Sequence, residues 1–148
     1  MWQKVDTDKV IVAPFGPEHV ARVARFMADL PDGWGEKALS EIIDSPVYKS
    51  FVALYEGDIA GFCCYRTADA AELVFLLTAP AYKRQGVAFK LIRQTARLFD
   101  SVVLEVRSGN TPALSLYKKL GFKEIGVRKN MYSAPAEDGV VMEYKPGE

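Results

Sequence analysis

The sequence predicts an α/β (α+β) fold, a mixed central sheet of about six to seven strands flanked by about four helices, with one parallel βαβ unit. Three observations lead there. Apolar residues recur at helical spacing in separate segments, as in Val20, Val23 and Met27 and again in Val87, Leu91 and Leu98. Runs of β-branched and aromatic residues at 50–55 and 59–66 lie between turn formers. Residues 72–106 read as strand, helix, strand, and an ordinary right-handed crossover makes those two strands parallel.

Taken in order, residues 9–13 form the first expected strand, and Pro17 opens a helix at its first turn, where a missing amide hydrogen costs nothing. That helix continues through Val20, Val23, Ala24, Met27 and Leu30 until Pro31-Asp32-Gly33 breaks it. A shorter helix at 36–43 stops at Ser45-Pro46, and strands at 50–55 and 59–66 flank Glu56-Gly57-Asp58 as a hairpin. The apolar run Leu73-Val74-Phe75-Leu76-Leu77, within 72–78, is expected to be a central strand buried on both faces. A third helix spans 86–99, ended by Asp100-Ser101, and a strand follows at 102–106. Thr111 and Pro112 read as N-cap and first residue of a fourth helix, whose apolar face is Ala113, Leu116, Tyr117 and Leu120 and whose terminator is Gly121. Strands at 122–127 and 140–144 close the chain around a polar loop at 129–139.

With 148 residues, 49% apolar and 26% charged, the chain is expected to be one domain, residues 1–148, with a core that needs no metal or disulfide. Its 19 Lys and Arg balance 19 Asp and Glu, so no global positive field favours nucleic acid. Met1 to Pro14 has no basic segment followed by an apolar run, and nowhere do about eighteen apolar residues pass without a charge. A cytoplasmic protein with no membrane partner is expected. Cys63 and Cys64 are adjacent, an awkward geometry for a mutual disulfide, and have no metal-ligand spacing. One should face the core and the other should face across the strand. The single histidine, His19, reads as an exposed helix residue far from the other polar motifs, so nothing supports a Cys-His or Ser-His pair.

The chemistry lies downstream. A strand ending at Thr78, the loop residues Lys83-Arg84-Gln85, and Gly86-Val87-Ala88 opening a helix gather backbone amides and a helix N-terminus around one spot, which suits a diphosphate. Gly86 lets the backbone approach closely, although a purely structural glycine has the same signature. Neither the G-x-x-x-x-G-K-S/T of a nucleoside triphosphate site nor the three glycines of a dinucleotide turn is present, which disfavours kinases and dehydrogenases. Glu105 interrupts an apolar strand. A carboxylate there is partly desolvated and suited to a general base, or simply faces water. Tyr117 fits an aromatic core residue or a proton donor, and Asn110 fits a turn or a cap. Arg107 shares a strand face with Glu105, either to pair with it or to guide a substrate.

Asn110, Ala113, Leu116-Tyr117 and Gly121-Phe122 fit N-x-x-A-x-x-L-Y-x-x-x-G-F at every stated position, and Lys83 to Ala88 fits Q/R-x-x-G-x-G/A beyond its first residue. These motifs resemble the GNAT superfamily of acyl-CoA N-acyltransferases. Leu104 to Phe122, Arg128-Lys129-Asn130-Met131-Tyr132 and Glu137-Asp138 resemble its RimI-type protein N-terminal acetyltransferases in particular, typified by acetylation of a ribosomal protein's N-terminal alanine. The likeness is clear from about Glu72 to Met142 and thin before that, where Trp34-Gly35-Glu36-Lys37 is a faint echo.

The resemblance implies a GNAT fold, acetyl-CoA as co-substrate without a metal, and a primary amine as acceptor, first of all the N-terminus of a protein or peptide. By position it implies Glu105 as general base and Tyr117 as general acid for the leaving thiolate, with Asn110 on the pantetheine arm. Leu76, Leu77, Thr78, Lys83, Arg84, Gln85, Gly86, Val87, Ala88 and Phe89 are the remaining coenzyme-binding positions, together with Tyr117. The chain departs from the family at Lys83, where Gln or Arg is usual, at Leu76-Leu77-Thr78, where Ile-Ala-Val is usual, and at Met131, where Tyr is frequent.

No activated Ser, Cys or Lys nucleophile is evident, so the amine is expected to attack the thioester directly. Neutralising a lysine at pH 7 costs about 3 kcal/mol more than neutralising a terminal α-amine, given reference pKa values of about 10.4 and about 7.7 to 8.0. Two other readings stay open. One is a GNAT enzyme for a small amine, such as a polyamine, amino acid or aminoglycoside, which acidic residues clustered at the acceptor cleft would favour. The other is an acyl-CoA-binding module without catalysis. Monomer and homodimer are both compatible with the sequence.

Overall fold

Seven strands, β1 (Ile11–Pro14), β2 (Tyr48–Tyr55), β3 (Asp58–Arg66), β4 (Ala71–Thr78), β5 (Val102–Arg107), β6 (Lys123–Ser133) and β7 (Ala136–Tyr144), form one sheet in the computed structural model, which describes residues 4–147. Their order is β1-β2-β3-β4-β5-β7-β6, and every neighbouring pair is antiparallel except β4 and β5. The mixed sheet with one parallel βαβ unit is therefore as the sequence predicts. Four α-helices accompany it: α1 (Val20–Met27), α2 (Glu36–Ile43), α3 (Val87–Thr95) and α4 (Thr111–Leu120). Among the described residues no helix is long and apolar enough to cross a membrane.

Each face of the sheet has its own core. On one, Val23 and Met27 of α1 and Leu39 of α2 pack with Val52, Phe62 and Cys64. On the other, Leu91 and Ile92 of α3 and Leu120 of α4 pack with Cys63, Tyr65, Leu104 and Met142. The adjacent cysteines thus point into opposite cores, as a pleated strand requires. Burial pushes both thiols up to about 12, which leaves them without nucleophilic thiolate at neutral pH. One expectation needs correcting. The strand buried on both faces is β3, covered from Ile59 to Tyr65, whereas β4 buries Ala71 and Leu73 and leaves Val74 to Thr78 half-buried. The reason is that β4 borders an opening in the sheet, described below.

Gly61 sets the position of α3. A Cβ there would lie 3.2 Å from Val87 Cγ1 and 3.1 Å from the Leu77 carbonyl oxygen, so the missing side chain lets the first turn of α3 settle closely onto the end of β3 and β4. Because Gly61 pairs with Thr78, the N-terminus of α3 lies over the carboxyl end of β4.

Several boundaries differ from expectation. Lys9 belongs to a 3-10 turn before β1, and residues 17–19 are a 3-10 turn leading into α1. His19 is not an exposed helix residue, since its Nδ1 accepts from the Gly16 N–H at 2.9 Å and its ring stacks on Phe15. Helix α3 ends at Thr95 and passes into a 3-10 turn at 96–98. The largest difference is at 129–139, expected as a loop, which is the upper part of the β6–β7 hairpin. Strand β6 is exposed at every residue but Tyr132, and beyond Val127 its sequence shows none of the apolar alternation by which a strand is read.

Thr95, 2% exposed, links α3 to β3: its hydroxyl lies 2.6 Å from the Tyr65 hydroxyl and donates to the Leu91 carbonyl at 2.8 Å. Replacing Thr95 with Val keeps the shape and leaves the Tyr65 hydroxyl buried without its partner, at an expected cost of about 1 to 3 kcal/mol in urea unfolding. Adding Tyr65→Phe should return most of that loss. A single Thr95→Val variant as stable as the parent would show that this pair does not contribute.

Candidate active site

The parallel ladder between β4 and β5 consists of Ala71 opposite Val102 and Glu72 opposite Val103, and the strands then run on to Thr78 and Arg107 without pairing to each other. A bulge in β4 accompanies the parting: Cys64 pairs with Phe75 and Tyr65 with Leu73, so Val74 is an extra residue. Outer neighbours keep both strands in place, Gly61 opposite Thr78 on one side and Gly139 opposite Arg107 on the other. The result is a wedge open at the carboxyl ends of the parallel pair, edged by unpaired backbone of Leu76, Leu77 and Thr78 on β4. Helix α3 follows β4 and helix α4 follows β5, so both helix N-termini emerge at this end.

At the start of α3, Gly86 is left-handed (φ 87) and Val87 is helical, an arrangement that turns successive N–H groups toward one point. The first helical bond is donated by the Lys90 N–H to the Gly86 carbonyl (3.0 Å), so the amides of Gly86, Val87, Ala88 and Phe89 precede it and have no intrahelical acceptor. Arg84 is also left-handed (φ 63), and the side chains of Lys83 and Arg84 are exposed beside this loop. The Gln85 side chain is turned elsewhere: its Oε1 accepts from the Val5 N–H at 2.8 Å. Lys90 donates from Nζ to the Thr7 carbonyl, which further binds the segment before β1 to this helix. Val87 is buried at the Gly61 contact, while Ala88 is half-buried and Phe89 exposed.

The N-cap of α4 is Asn110, not Thr111, because the Asn110 Oδ1 accepts from the Ala113 N–H at 3.2 Å. Asn110 is exposed, and its side-chain amide nitrogen is a donor that the cap does not use. Tyr117 packs against Phe122 with ring centroids 5.7 Å apart, in the same core that receives Leu76 of β4. Burial pushes the Tyr117 phenol above its ordinary range, so it stays protonated at neutral pH.

Glu105 lies on the other face. Along β5, Val102, Leu104 and Val106 are buried toward α3 and α4, so Val103, Glu105 and Arg107 point away from them. The α1–α2 core reaches only as far as Val74, Phe75 and Leu77 of β4, and beyond it the face of β5, β7 and β6 carries Glu105, Arg107, Arg128 and Glu143 beside Val103 and Val141. Trp34, from the segment joining α1 to α2, stands against Phe75 at this border, 5.3 Å between ring centroids.

The sequence did not foresee the partners on that face. Glu105 is bound by Arg128 of β6, whose Nη1 donates to Oε1 at 2.7 Å, so an ion pair and not an apolar surrounding defines the setting of this carboxylate. Arg107 does not pair with Glu105. It reaches Glu137 at 3.3 Å, donates to the Pro135 carbonyl, and lies 4.3 Å from the centre of the Tyr132 ring. Glu137 also accepts from the Gly109 N–H at 2.6 Å, which ties the end of β5 to the hairpin. Asp138, held below the usual carboxylate range chiefly by the Asn130 N–H, faces Lys129 at 3.5 Å. Tyr132 is pushed up by burial and by the neighbouring Glu105. The sequence signals for these contacts were the Arg128–Tyr132 and Glu137-Asp138 segments of the family resemblance.

Residues 21–122 match the Acetyltransferase (GNAT) family. The chain is 31% identical over 117 residues to the ribosomal protein bS18-alanine N-acetyltransferase of Escherichia coli, covering 74% of this chain and 78% of that protein. The crystal structure of the Escherichia coli ribosomal-protein-S18-alanine N-acetyltransferase superposes with a TM-score of 0.77 at 25% identity, covering 92% of this chain and 93% of that one. A spermidine N-acetyltransferase variant from Vibrio cholerae gives a TM-score of 0.79 over 95% of each chain, at 17% identity, a likeness of fold alone. Sequence and fold agree, and this chain belongs to the GNAT family of N-acetyltransferases, enzymes that take their acetyl group from acetyl-CoA.

Proposed function

We propose that this enzyme acetylates the N-terminal α-amine of a protein or peptide; relatives carry the names ribosomal protein bS18-alanine N-acetyltransferase and N-alpha-acetyltransferase. The observation that carries the reading is charge balance on the open face: Glu105 faces Arg128, Glu137 faces Arg107 and Glu143 faces Lys145. Among the described residues, a polyamine, fully protonated at neutral pH, finds no cluster of uncompensated carboxylates there. An α-amine, which loses its proton about 3 kcal/mol more easily than an alkylamine, does not need one.

In this reading the amides of Gly86, Val87, Ala88 and Phe89 hold the coenzyme diphosphate, with Lys83 and Arg84 adding charge and Gln85 contributing backbone. The unpaired edge of Leu76, Leu77 and Thr78 bonds the amides of the pantetheine arm, and Asn110 donates to it from the opposite side. The neutral amine attacks the thioester carbonyl carbon from the Glu105 face, forming the C–N bond. Its proton passes to Glu105 directly or through water, a contribution of about 10²- to 10⁴-fold. Backbone amides of the β4 edge stabilise the tetrahedral oxyanion. The C–S bond then breaks toward the other face, and Tyr117 protonates the departing thiolate, leaving an N-acetylated amine and free coenzyme A. The reading takes residues 1–148 as one catalytic domain acting in the cytoplasm, without metal, nucleic acid or membrane.

The test is acetyl transfer from acetyl-CoA to a mixed panel of free N-terminal peptides, blocked lysine peptides and small amines, followed by mass spectrometry. Modification of free N-termini is expected, and modification confined to small amines would overturn the acceptor assignment. Tight coenzyme binding with no product from any amine would favour a binding module. Glu105→Gln should lower kcat by about 10²-fold or more with the KM for acetyl-CoA within about twofold of the parent. Unchanged turnover removes Glu105 from the mechanism. Gly86→Glu puts a side chain on a left-handed residue and a negative charge among the amides, so calorimetric acetyl-CoA binding should be lost while far-UV circular dichroism is kept. Retained affinity would move the diphosphate elsewhere.

A further inference from the structure

We infer that Arg128 is a positioning and acceptor-selecting residue: by occupying Glu105 Oε1 it leaves Oε2 to take the amine's proton, and its charge keeps ammonium ions from settling on the carboxylate. This rests on the reading of Glu105 as the general base.

The geometry is specific. Arg128 lies opposite Gly139 of β7, while Glu105 lies opposite Val141, so the guanidinium must run diagonally across β7 to reach the carboxylate. The 2.7 Å contact engages Oε1 only, and among the described residues no hydrogen bond to Oε2 is found. The Arg128 side chain is 63% exposed but the Glu105 side chain only 21%, so the pair is solvated from the arginine side and the carboxylate is reached from the acceptor face. Its other charged neighbours are already committed, Arg107 to Glu137 and to the Tyr132 ring.

A lone carboxylate in an amine-binding cleft attracts the protonated form of any amine. A protonated amine has no lone pair for attack, so such binding is unproductive and grows worse for more basic amines. With Arg128 in place, the cleft is neutral around Glu105 and the free amine is the species it accepts. The same device favours an α-amine, a larger fraction of which is neutral at pH 7, over lysine side chains and polyamines.

The experiment measures competitive inhibition of peptide acetylation by n-butylammonium at pH 7 in the parent, Arg128→Gln, Arg128→Lys, Glu105→Gln and the Arg128→Gln/Glu105→Gln double variant, the last two by calorimetry if turnover is too slow. Arg128→Gln should bind the cation at least about fivefold more tightly, a modest share of a charge-assisted contact, while the KM for acetyl-CoA stays put. Arg128→Lys should restore the parent value, and the double variant should abolish the gain. Unchanged affinity in Arg128→Gln, or a gain that persists in the double variant, overturns the inference. Full turnover in Glu105→Gln would instead defeat the general-base reading, so the two failures are separable. Exposure of Arg128 on an edge strand leaves the fold of its variants intact, and far-UV circular dichroism with unchanged acetyl-CoA affinity verifies this.

Discussion

The parting of β4 from β5 after two residue pairs is the constraint on which the rest of the structure depends. A sheet interior normally satisfies every backbone N–H and C=O, and leaving a stretch of two adjacent strands unpaired costs free energy unless water or a ligand takes their place. The split is stabilised from outside. The β3–β4 ladder continues to Thr78 and the β5–β7 ladder to Arg107, so neither strand can swing in to close the gap. The extra residue Val74 adds twist where pairing ends, which directs the last residues of β4 away from β5. What remains is a strand edge complementary to an extended chain carrying amides of its own, which the pantetheine arm of acetyl-CoA is.

Placing helices unequally on the two faces gives the wedge two different entrances. On one side α3 and α4 bring helix N-termini and the buried phenol of Tyr117, and on the other the helical layer stops at β4 and leaves Glu105 among the polar groups of the hairpin. An acyl transfer needs a proton acceptor where the amine arrives and a proton donor where the thiolate leaves. Since successive residues of a strand point to opposite faces, Glu105 lies on the opposite side of the sheet from the α4 layer that holds Tyr117. In the proposed mechanism this separation puts the proton acceptor on the side where the amine arrives and the proton donor on the side where the thiolate leaves.

The sequence disclosed the coenzyme half far better than the acceptor half, for a physical reason. Gly86, Pro112 and Gly121 are required by backbone geometry, and Val87, Leu91 and Leu120 by burial, so both leave marks that periodicity and turn chemistry reveal. Asn110 was ambiguous because one side chain serves as helix cap and can still donate its amide. The β6–β7 hairpin was missed above Val127 because its residues are solvated on both sides and its irregular register, with Asn130 left-handed, breaks the alternation of a strand. The role of Arg107 stayed open in the sequence, and pairing with Glu105, one of the two alternatives, is not what forms: strand spacing puts it beside Glu105, but the hairpin tip, invisible to that spacing, brings Glu137 nearer.

That asymmetry also bears on how one fold accommodates different amines. Changing a residue of the coenzyme half disturbs packing, as at Gly61, where a single Cβ would press on both Val87 and the β4 backbone. On β6 nearly every side chain is exposed, and substitutions there alter charge and shape on the acceptor face with little effect on the core. In the proposed reading, a fold built this way holds its coenzyme site among packed residues and leaves acceptor choice to an edge hairpin. Acceptor chemistry must therefore be argued from the partners of Glu105, Arg107 and Tyr132, where the fold alone is silent.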